Sequence, residues 1–423
     1  MDTQSNIPSG QSDDLVSADA VDSILADLFL TPEGLTDPYP RYERVRELTP
    51  VHQTALGHWV VTRYDDVDTL MRHQQGLKDP YRVFAPWLKK EEWPEHAALR
   101  RLPDILLWIN PPDHTRLRKL ASYAFTAKAV RGMRPRIEGM VSSLADRLQE
   151  AGSLDYMKEF AYPLPAMATG TMLGLPEADL PHLQDPMRAF QDVYELGLTA
   201  EDLAACDAGA AITDAYFTDL VNERRAKPGD DLLSALIAAK DGDDRLTQGE
   251  LIGMCNLLFG AGFETTTNLL GNGLFALLSH PEQMARLRAE PELIPGAVEE
   301  MLRFDSPTQL VNRVVDEALE IGGTLIPAGA SVIGLVGSAH RDARRYTDPD
   351  VFDVTRQEAS VLSFSSGIHY CLGAGLARVE AQVAFTTLLT RFPRLRLDAD
   401  FDEVRFRPRL TLRGLESLPI AVD

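Results

Sequence analysis

The chain is poor in cysteine, with three in 423 residues at positions 206, 255 and 371 and no Cys-x-x-Cys pair. That excludes a disulfide framework and a four-cysteine zinc site, and it fits a reducing compartment. Positive charge is also short: 42 Lys and Arg face 63 Asp and Glu, a formal net charge of −21. Such a balance repels phosphate backbones and anionic lipid, so no nucleic-acid partner is expected. No apolar run reaches 18 residues, and the opening MDTQSNIPSGQSDDLVSA lacks the basic start and apolar stretch of an export signal. A cytoplasmic protein without a membrane anchor is the expectation. Missing too are Gly/Ser-rich or Pro-rich linkers and internal repeats, which predicts one large domain over 19–423 behind a polar, mobile segment over 1–18.

What the sequence does carry is helical period. It dominates 111–302, clearest at 133–149 and 210–225, with Pro and Gly at the joints. A short helix is expected from Asp37-Pro38-Tyr39-Pro40 onward. Strand formers gather at 51–64 and 319–336, and a last hairpin is expected near 404–420. The stretch 76–110 sets Tyr81, Phe84, Trp87, Trp93 and Trp108 among prolines and charges, which predicts a long loop with an apolar inner side able to cover a pocket. The fold class is therefore mainly α with small β-sheets.

One segment stands apart. Phe364-Ser365-Ser366-Gly367-Ile368-His369-Tyr370-Cys371-Leu372-Gly373-Ala374-Gly375 sets a cysteine between glycines just before a helix expected over 372–391. Amide N–H groups at a helix start favour thiolate over thiol, and a thiolate is a strong metal ligand. Gly367 permits a tight bend, Gly373 withholds a side chain where a flat cofactor presses, and Phe364 can screen the sulfur. A lone cysteine is most often a small buried hydrophobe. The pattern F-x-x-G-x-x-x-C-x-G, however, arises by chance only roughly 0.0005 times in a chain of this composition. The loop resembles the haem-ligand loop of the cytochrome P450 family, which implies haem b (iron protoporphyrin IX) with Cys371 as the axial iron ligand.

A second segment opens on the capping-box sequence Thr247-Gln248-Gly249-Glu250 and keeps its period to Leu278, where Ser279-His280-Pro281 stops it. Some thirty helical residues would span about 45 Å. Its centre, Gly260-Ala261-Gly262-Phe263-Glu264-Thr265-Thr266-Thr267, defies local propensity, since each glycine costs about 1 kcal/mol relative to alanine. Small residues let a bulky group lie against the backbone, and a hydroxyl beside a carboxylate can carry protons. A plain packing pair of glycines is the other reading. The Ala-Gly-x-acid-Thr order at 261–265 is similar to the family's oxygen-binding groove, which implies catalytic roles for Glu264 and Thr265 and a cofactor contact at Ala261.

Charged positions follow the same division. Glu43 and Arg46 are spaced for a solvated helical pair, and Glu300 and Arg303 share that spacing on an apolar helix face. The resemblance implies that Glu300, Arg303 and Arg356 form a buried structural triad. Buried haem carboxylates need partners, and the resemblance places His114, Arg118, Arg313 and His369 there. By family position the substrate pocket takes Phe84, Leu258, Ala261, Thr308, Gln309, Leu310 and Leu412, a mainly apolar set.

Four motifs in order from about Asp37 to the C-terminus make the chain similar to soluble bacterial members of the family, whose fold is a helical prism with a small sheet at one corner. The implied activity is that of a haem-thiolate monooxygenase inserting one atom of O2 into an apolar small-molecule metabolite, by hydroxylation or epoxidation, in bacterial secondary metabolism. Electrons are expected from a separate ferredoxin or flavodoxin with its NAD(P)H reductase, docking near Arg116, Lys119 and Arg378. A peroxygenase, an oxidative coupling enzyme or a non-enzymatic haem-binding or sensor protein shares the ligand, but the first typically lacks the acid and alcohol found at Glu264 and Thr265.

Overall fold

Alternation and β-branched residues confine sheet to short runs, and the computed structural model, which describes residues 18–74, 76–84, 89–195, 197–358 and 360–422, contains ten strands of two to six residues among those described. They are β1 (Val51–Gln53), β2 (Trp59–Val61), β3 (Gly76–Leu77), β4 (Ser153–Asp155), β5 (Leu310–Val315), β6 (Leu319–Ile321), β7 (Thr324–Ile326), β8 (Ser331–Leu335), β9 (Arg396–Leu397) and β10 (Pro419–Ala421). The largest sheet has the order β1-β2-β8-β5-β3. Its β2–β8 pair is parallel, with Trp59 opposite Val332, and β3 runs antiparallel to β5, with Leu77 opposite Val314. That last pairing carries the chain after Leu77 to the neighbourhood of Arg313.

Helices make up most of the rest. The Gln248–Ser279 helix starts on the expected capping box, Thr247 Oγ1 accepting from the Glu250 amide and the Glu250 carboxylate from the Thr247 amide. It is buried on nearly every face, so tertiary packing outweighs its poor central propensity. The central glycines serve that packing: a Cβ on Gly260 would lie 2.8 Å from Met187 Sδ, and one on Gly262 2.7 Å from Thr169 Oγ1. Neighbouring helices are thus what press on these glycines, while Ala261 is exposed toward a cavity.

Beneath this layer Glu300 and Arg303, both on the Ile294–Phe304 helix, pair through two bonds of 2.7 and 2.8 Å. Arg356 Nε reaches Glu300 Oε2 at 3.1 Å, and the Asp353 amide donates to Glu300 Oε1 at 2.9 Å. Arg303 also donates to the carbonyls of His340, Pro349 and Val351, so each of its nitrogens is used. Charge is buried here with its partners supplied by the protein.

Several expectations need correction. Of the segment 1–18, only Ala18 lies within the described residues, and it opens a helix running to Leu30. Trp87 also falls outside them. The described parts of 76–110 form a chain of short helical turns, including Pro80–Phe84, Ala97–Arg101 and Leu106–Trp108, because the aromatic side chains give each turn an apolar face to bury. Near the C-terminus no regular hairpin forms. Phe406 bridges Leu415, the loop tip bridges Thr308 through Leu412, and β10 pairs instead with β4 and β9. Arg46 turns from Glu43 to donate to Ser338 O and Oγ at 2.9 and 3.0 Å, since those buried acceptors offer more than an exposed carboxylate.

Candidate active site

Cys371 lies three residues before the Ala374–Arg391 helix, its amide donating to Phe364 O at 2.9 Å. Gly367 sits at φ 67°, where L side chains are strained, and a Cβ there would come within 3.1 Å of the Arg72 backbone. That bend turns the loop inward, and Cys371, Phe364, His369 and Gly373 line one cavity, whereas Gly367 shapes the loop without reaching it. Phe364 is buried under the Arg378 guanidinium, 4.3 Å above its ring. The sulfur opens to the cavity yet is enclosed by protein. Burial pushes the thiol up, and the amides of Gly373 and Ala374 offset this only partly. The helix start alone therefore does not offset burial, and a bound iron would be what displaces the proton. Cys206 and Cys255 are buried elsewhere, their thiols pushed up by burial to about 12, which leaves them inert.

The rim of the same cavity carries two arginines and two histidines that no carboxylate of the described residues meets. Arg313 is buried, donates once to Asn312 O at 2.9 Å, and leaves Nε and Nη2 without a partner. His114 and Arg118 both project from the Asp113–Ala124 helix, with His114 Nε2 unpartnered and its ring 4.4 Å from that of His369. Arg118 donates to the Tyr370 carbonyl at 2.5 Å. Burial holds His114 down at about 4 and His369 at about 2, with neighbouring cations adding to the effect, and it draws Arg313 down to about 10. Among the described residues no carboxylate pairs with any of the four. A buried guanidinium with two idle nitrogens, beside Arg118 and two neutral imidazoles able to donate, is the signature of a missing acidic ligand, and two haem carboxylates fit this rim while the Cys371 sulfur fits the iron.

The long helix forms another wall, where Ala261, Gly262, Thr265 and Thr266 face the cavity. Thr265 Oγ1 donates to Ala261 O at 2.6 Å. Glu264 does not share that face. Its carboxylate is buried between Arg407, at 2.7 Å, and Arg188, at 3.1 Å, in a small polar pocket that shares Gln191, Tyr194 and Leu412 with the main cavity. The reason is periodicity, since adjacent helical residues are turned by about 100°.

Leu258, Thr308, Leu310 and Leu412 line the cavity. Gln309 does not: its amide accepts from Tyr42 Oη at 2.9 Å and donates to Ser306 O at 2.8 Å, because successive residues in an extended chain point to opposite sides. Phe84 also stands back, behind Trp108 with ring centroids 5.8 Å apart, and Trp108 makes the contact. Sequence reasoning missed Lys78 and Glu380, both buried and both lining the cavity. A carboxylate on the apolar face shared with Leu376 and Ala384 was a legible signal for Glu380; Lys78 had none. The three expected docking cations are all paired, Arg116 with Glu250, Lys119 with Asp241 at 2.6 Å and Arg378 with Glu299 at 2.6 Å, so they offer less free charge than their sequence suggests.

Residues 58–401 match the family Cytochrome P450. The chain is 42% identical over 398 residues to cytochrome P450 107B1 of Saccharopolyspora erythraea, covering 91% of this chain and 95% of that protein. It is 40% identical over 392 residues to the cytochrome P450 monooxygenase PikC of Streptomyces venezuelae, covering 91% of each. Among solved structures, P450BioI in complex with an acyl carrier protein ligated to hexadec-9Z-enoic acid superposes with a TM-score of 0.86 at 35% identity, covering 93% of this chain and 99% of that one. The fold and the cysteine-floored cavity define a haem-thiolate oxidoreductase. The chain belongs to the cytochrome P450 family, as a monooxygenase of the bacterial kind with haem b as its cofactor, acting on O2 and a small molecule with electrons from a redox partner. Among the described residues no helix is long and apolar enough to cross a membrane.

Proposed function

We propose that this cytochrome P450 hydroxylates or epoxidises a bulky, mainly apolar metabolite of the macrolide, terpenoid or aromatic kind. Support comes from the apolar wall of Leu258, Leu310 and Leu412 and from relatives that include a 6-deoxyerythronolide B hydroxylase and a structure holding tirandamycin C. The observation that carries the assignment is the meeting, in one cavity, of an enclosed thiol, cations without acids and the Ala261–Thr265 helix wall. Cys371 Sγ would hold the iron, with Phe364 and Gly373 beside it. His114, Arg118, Arg313 and His369 would hold the two carboxylates. When bound, the group supplies the activation of O2 and the transfer of one oxygen atom.

The chain's own part is orientation, exclusion of water and proton supply. Leucines and Thr308 seat the substrate and keep the cavity dry. Glu264, held by Arg188 and Arg407 beside the cavity, would take a proton from water in its polar pocket and donate it to Thr265 Oγ1, which turns from Ala261 O and gives up its own hydroxyl proton toward the cavity. Ferredoxin or flavodoxin, reduced through an NAD(P)H reductase, supplies electrons in the cytoplasm, where three free thiols are at home.

The purified protein should show the thiolate-type Soret band in its reduced carbon monoxide complex. Cys371→Ala or Cys371→His should abolish both that band and oxygenation, while Cys206→Ser and Cys255→Ser leave them intact. A thiolate band surviving in Cys371→Ala would overturn the ligand assignment.

A further inference from the structure

Lys78 is buried at 7% exposure, lines the cavity, and among the described residues makes no hydrogen bond or ion pair through Nζ. Its Nζ lies over an aromatic face, 5.3 Å from the centre of the Trp108 ring. The position is fixed from both sides of the backbone: the Lys78 amide donates to Asn110 Oδ1 at 2.7 Å and Asn110 Nδ2 to Lys78 O at 2.6 Å. Asn110 shortly precedes the Asp113–Ala124 helix that carries His114 and Arg118, and β3 delivers Lys78 beside Arg313. Burial, with Arg313 close by, holds the ammonium well below the usual lysine range, and Lys78 in turn presses on His369. Burial and neighbouring positive charge thus both work against protonation of Lys78 and His369, and an anion among them would let Lys78 keep its charge.

We infer that Lys78 is a fifth holder of the haem carboxylates, acting beside Arg313 and His369, and that it favours the reduced state of the cofactor. The inference rests on the haem assignment above. A ferric porphyrin bearing a thiolate and two carboxylates carries two net negative charges, and its ferrous form carries three. Arg118 and Arg313 supply two cations and Lys78, kept protonated by the carboxylates it would face, a third, so the full set matches the ferrous charge, and removing Lys78 leaves that state one cation short. A charged hydrogen bond lost from such a rim corresponds to about a tenfold weaker hold or more.

Holoprotein of the wild type, Lys78→Met, Lys78→Gln and Lys78→Arg would be compared by the rate of haem transfer to apomyoglobin and by spectroelectrochemical reduction potential. Lys78→Met and Lys78→Gln should lose haem about tenfold faster and show a more negative potential, with Lys78→Arg close to wild type. Should Lys78→Met fail to fold, the same ordering of Gln and Arg decides the matter. Unchanged transfer and potential in the neutral variants overturn the inference. So does a defect confined to the substrate-type spectral shift produced by palmitic acid, which would assign Lys78 to a substrate carboxylate. A wild type without the thiolate-type carbon monoxide band defeats the haem assignment itself, a result seen before any variant is made.

Discussion

The Glu300–Arg303–Arg356 cluster and the cavity rim both bury guanidinium groups, yet only the first supplies all the acceptors they need. Arg303 meets a carboxylate and three carbonyls, whereas Arg313 meets one carbonyl and leaves two donor nitrogens idle. Burial of charge alone thus does not separate scaffold from site; what separates them is whether the protein completes the hydrogen bonds. A completed cluster stabilises this chain, and at the wall of the cavity an incomplete one marks where another molecule belongs.

The largest effect expected from this contrast is in the completed cluster. Glu300→Ala leaves Arg303 and Arg356 without their shared carboxylate and should destabilise the protein by about 3–5 kcal/mol, with loss of folded holoprotein. Glu43→Ala, at an exposed position without a pair to Arg46, should stay within about 0.5 kcal/mol. Urea denaturation of both checks this, and equal midpoints would erase the distinction between the clusters.

Next in size is Arg313→Met. Removing an unpaired buried cation relieves a burial penalty, so the polypeptide should fold normally while its haem transfers to apomyoglobin about tenfold faster or more. Loss of folding comparable to that of Glu300→Ala would place Arg313 in the scaffold instead.

Legibility in the sequence followed the range of the interactions involved. The cysteine loop was readable because its bend, its glycines and its helix start are all local. Glu264 and Thr265 were readable as a pair, and helical period already turns them apart, but what Glu264 meets on its own side depends on Arg188 and Arg407, 76 and 143 residues away. Naming Thr308, Gln309 and Leu310 together ignored strand alternation, which admits the first and third and rejects the second. Lys78 was invisible because its burial arises from Trp108 and Asn110 on a distant turn, and a single lysine after a two-residue strand carries no pattern.

Glu380 offers a smaller test from within the cavity wall. Burial pushes its carboxyl up to about 8, and its Oε2 has no partner. Between the ordinary glutamate value of 4.5 and about 8 the native state keeps a proton that the unfolded chain releases. Stability therefore falls as pH rises through that window, by up to about 1.4 kcal/mol per pH unit, and levels above it. His340 acts with the opposite sign: burial lowers it to about 3, its Nε2 accepts from the Leu362 amide at 2.7 Å, and stability falls as pH drops from 6.5 toward 3. Denaturation at about pH 5 and pH 8 should show Glu380→Gln gaining on the wild type only at the higher pH. A constant difference would mean that Glu380 is an ordinary charged residue and the cavity wall is wetter than its lining implies.

The smallest change in stability is expected at Thr265, where the consequence for chemistry is nevertheless sharp. Its hydroxyl bonds only to Ala261 O in its own helix, so Thr265→Ala removes a local bond, improves helix propensity and should alter stability by no more than about 0.5 kcal/mol. Haem content, substrate binding and electron uptake should persist, because none of the rim or floor residues is touched. Proton delivery should not persist, since the proposed path from Glu264 ends on that hydroxyl. Reducing equivalents should then appear as hydrogen peroxide at the expense of product, measured as product per NAD(P)H consumed with a surrogate ferredoxin chain. Glu264→Gln should instead slow turnover and raise the solvent isotope effect, because a proton must enter past Arg188 and Arg407 without a carboxylate to carry it. Unchanged coupling in Thr265→Ala would place the proton donor on the substrate or on water, and the acid held by two arginines would join Glu300 among the charges that this chain buries for structure alone.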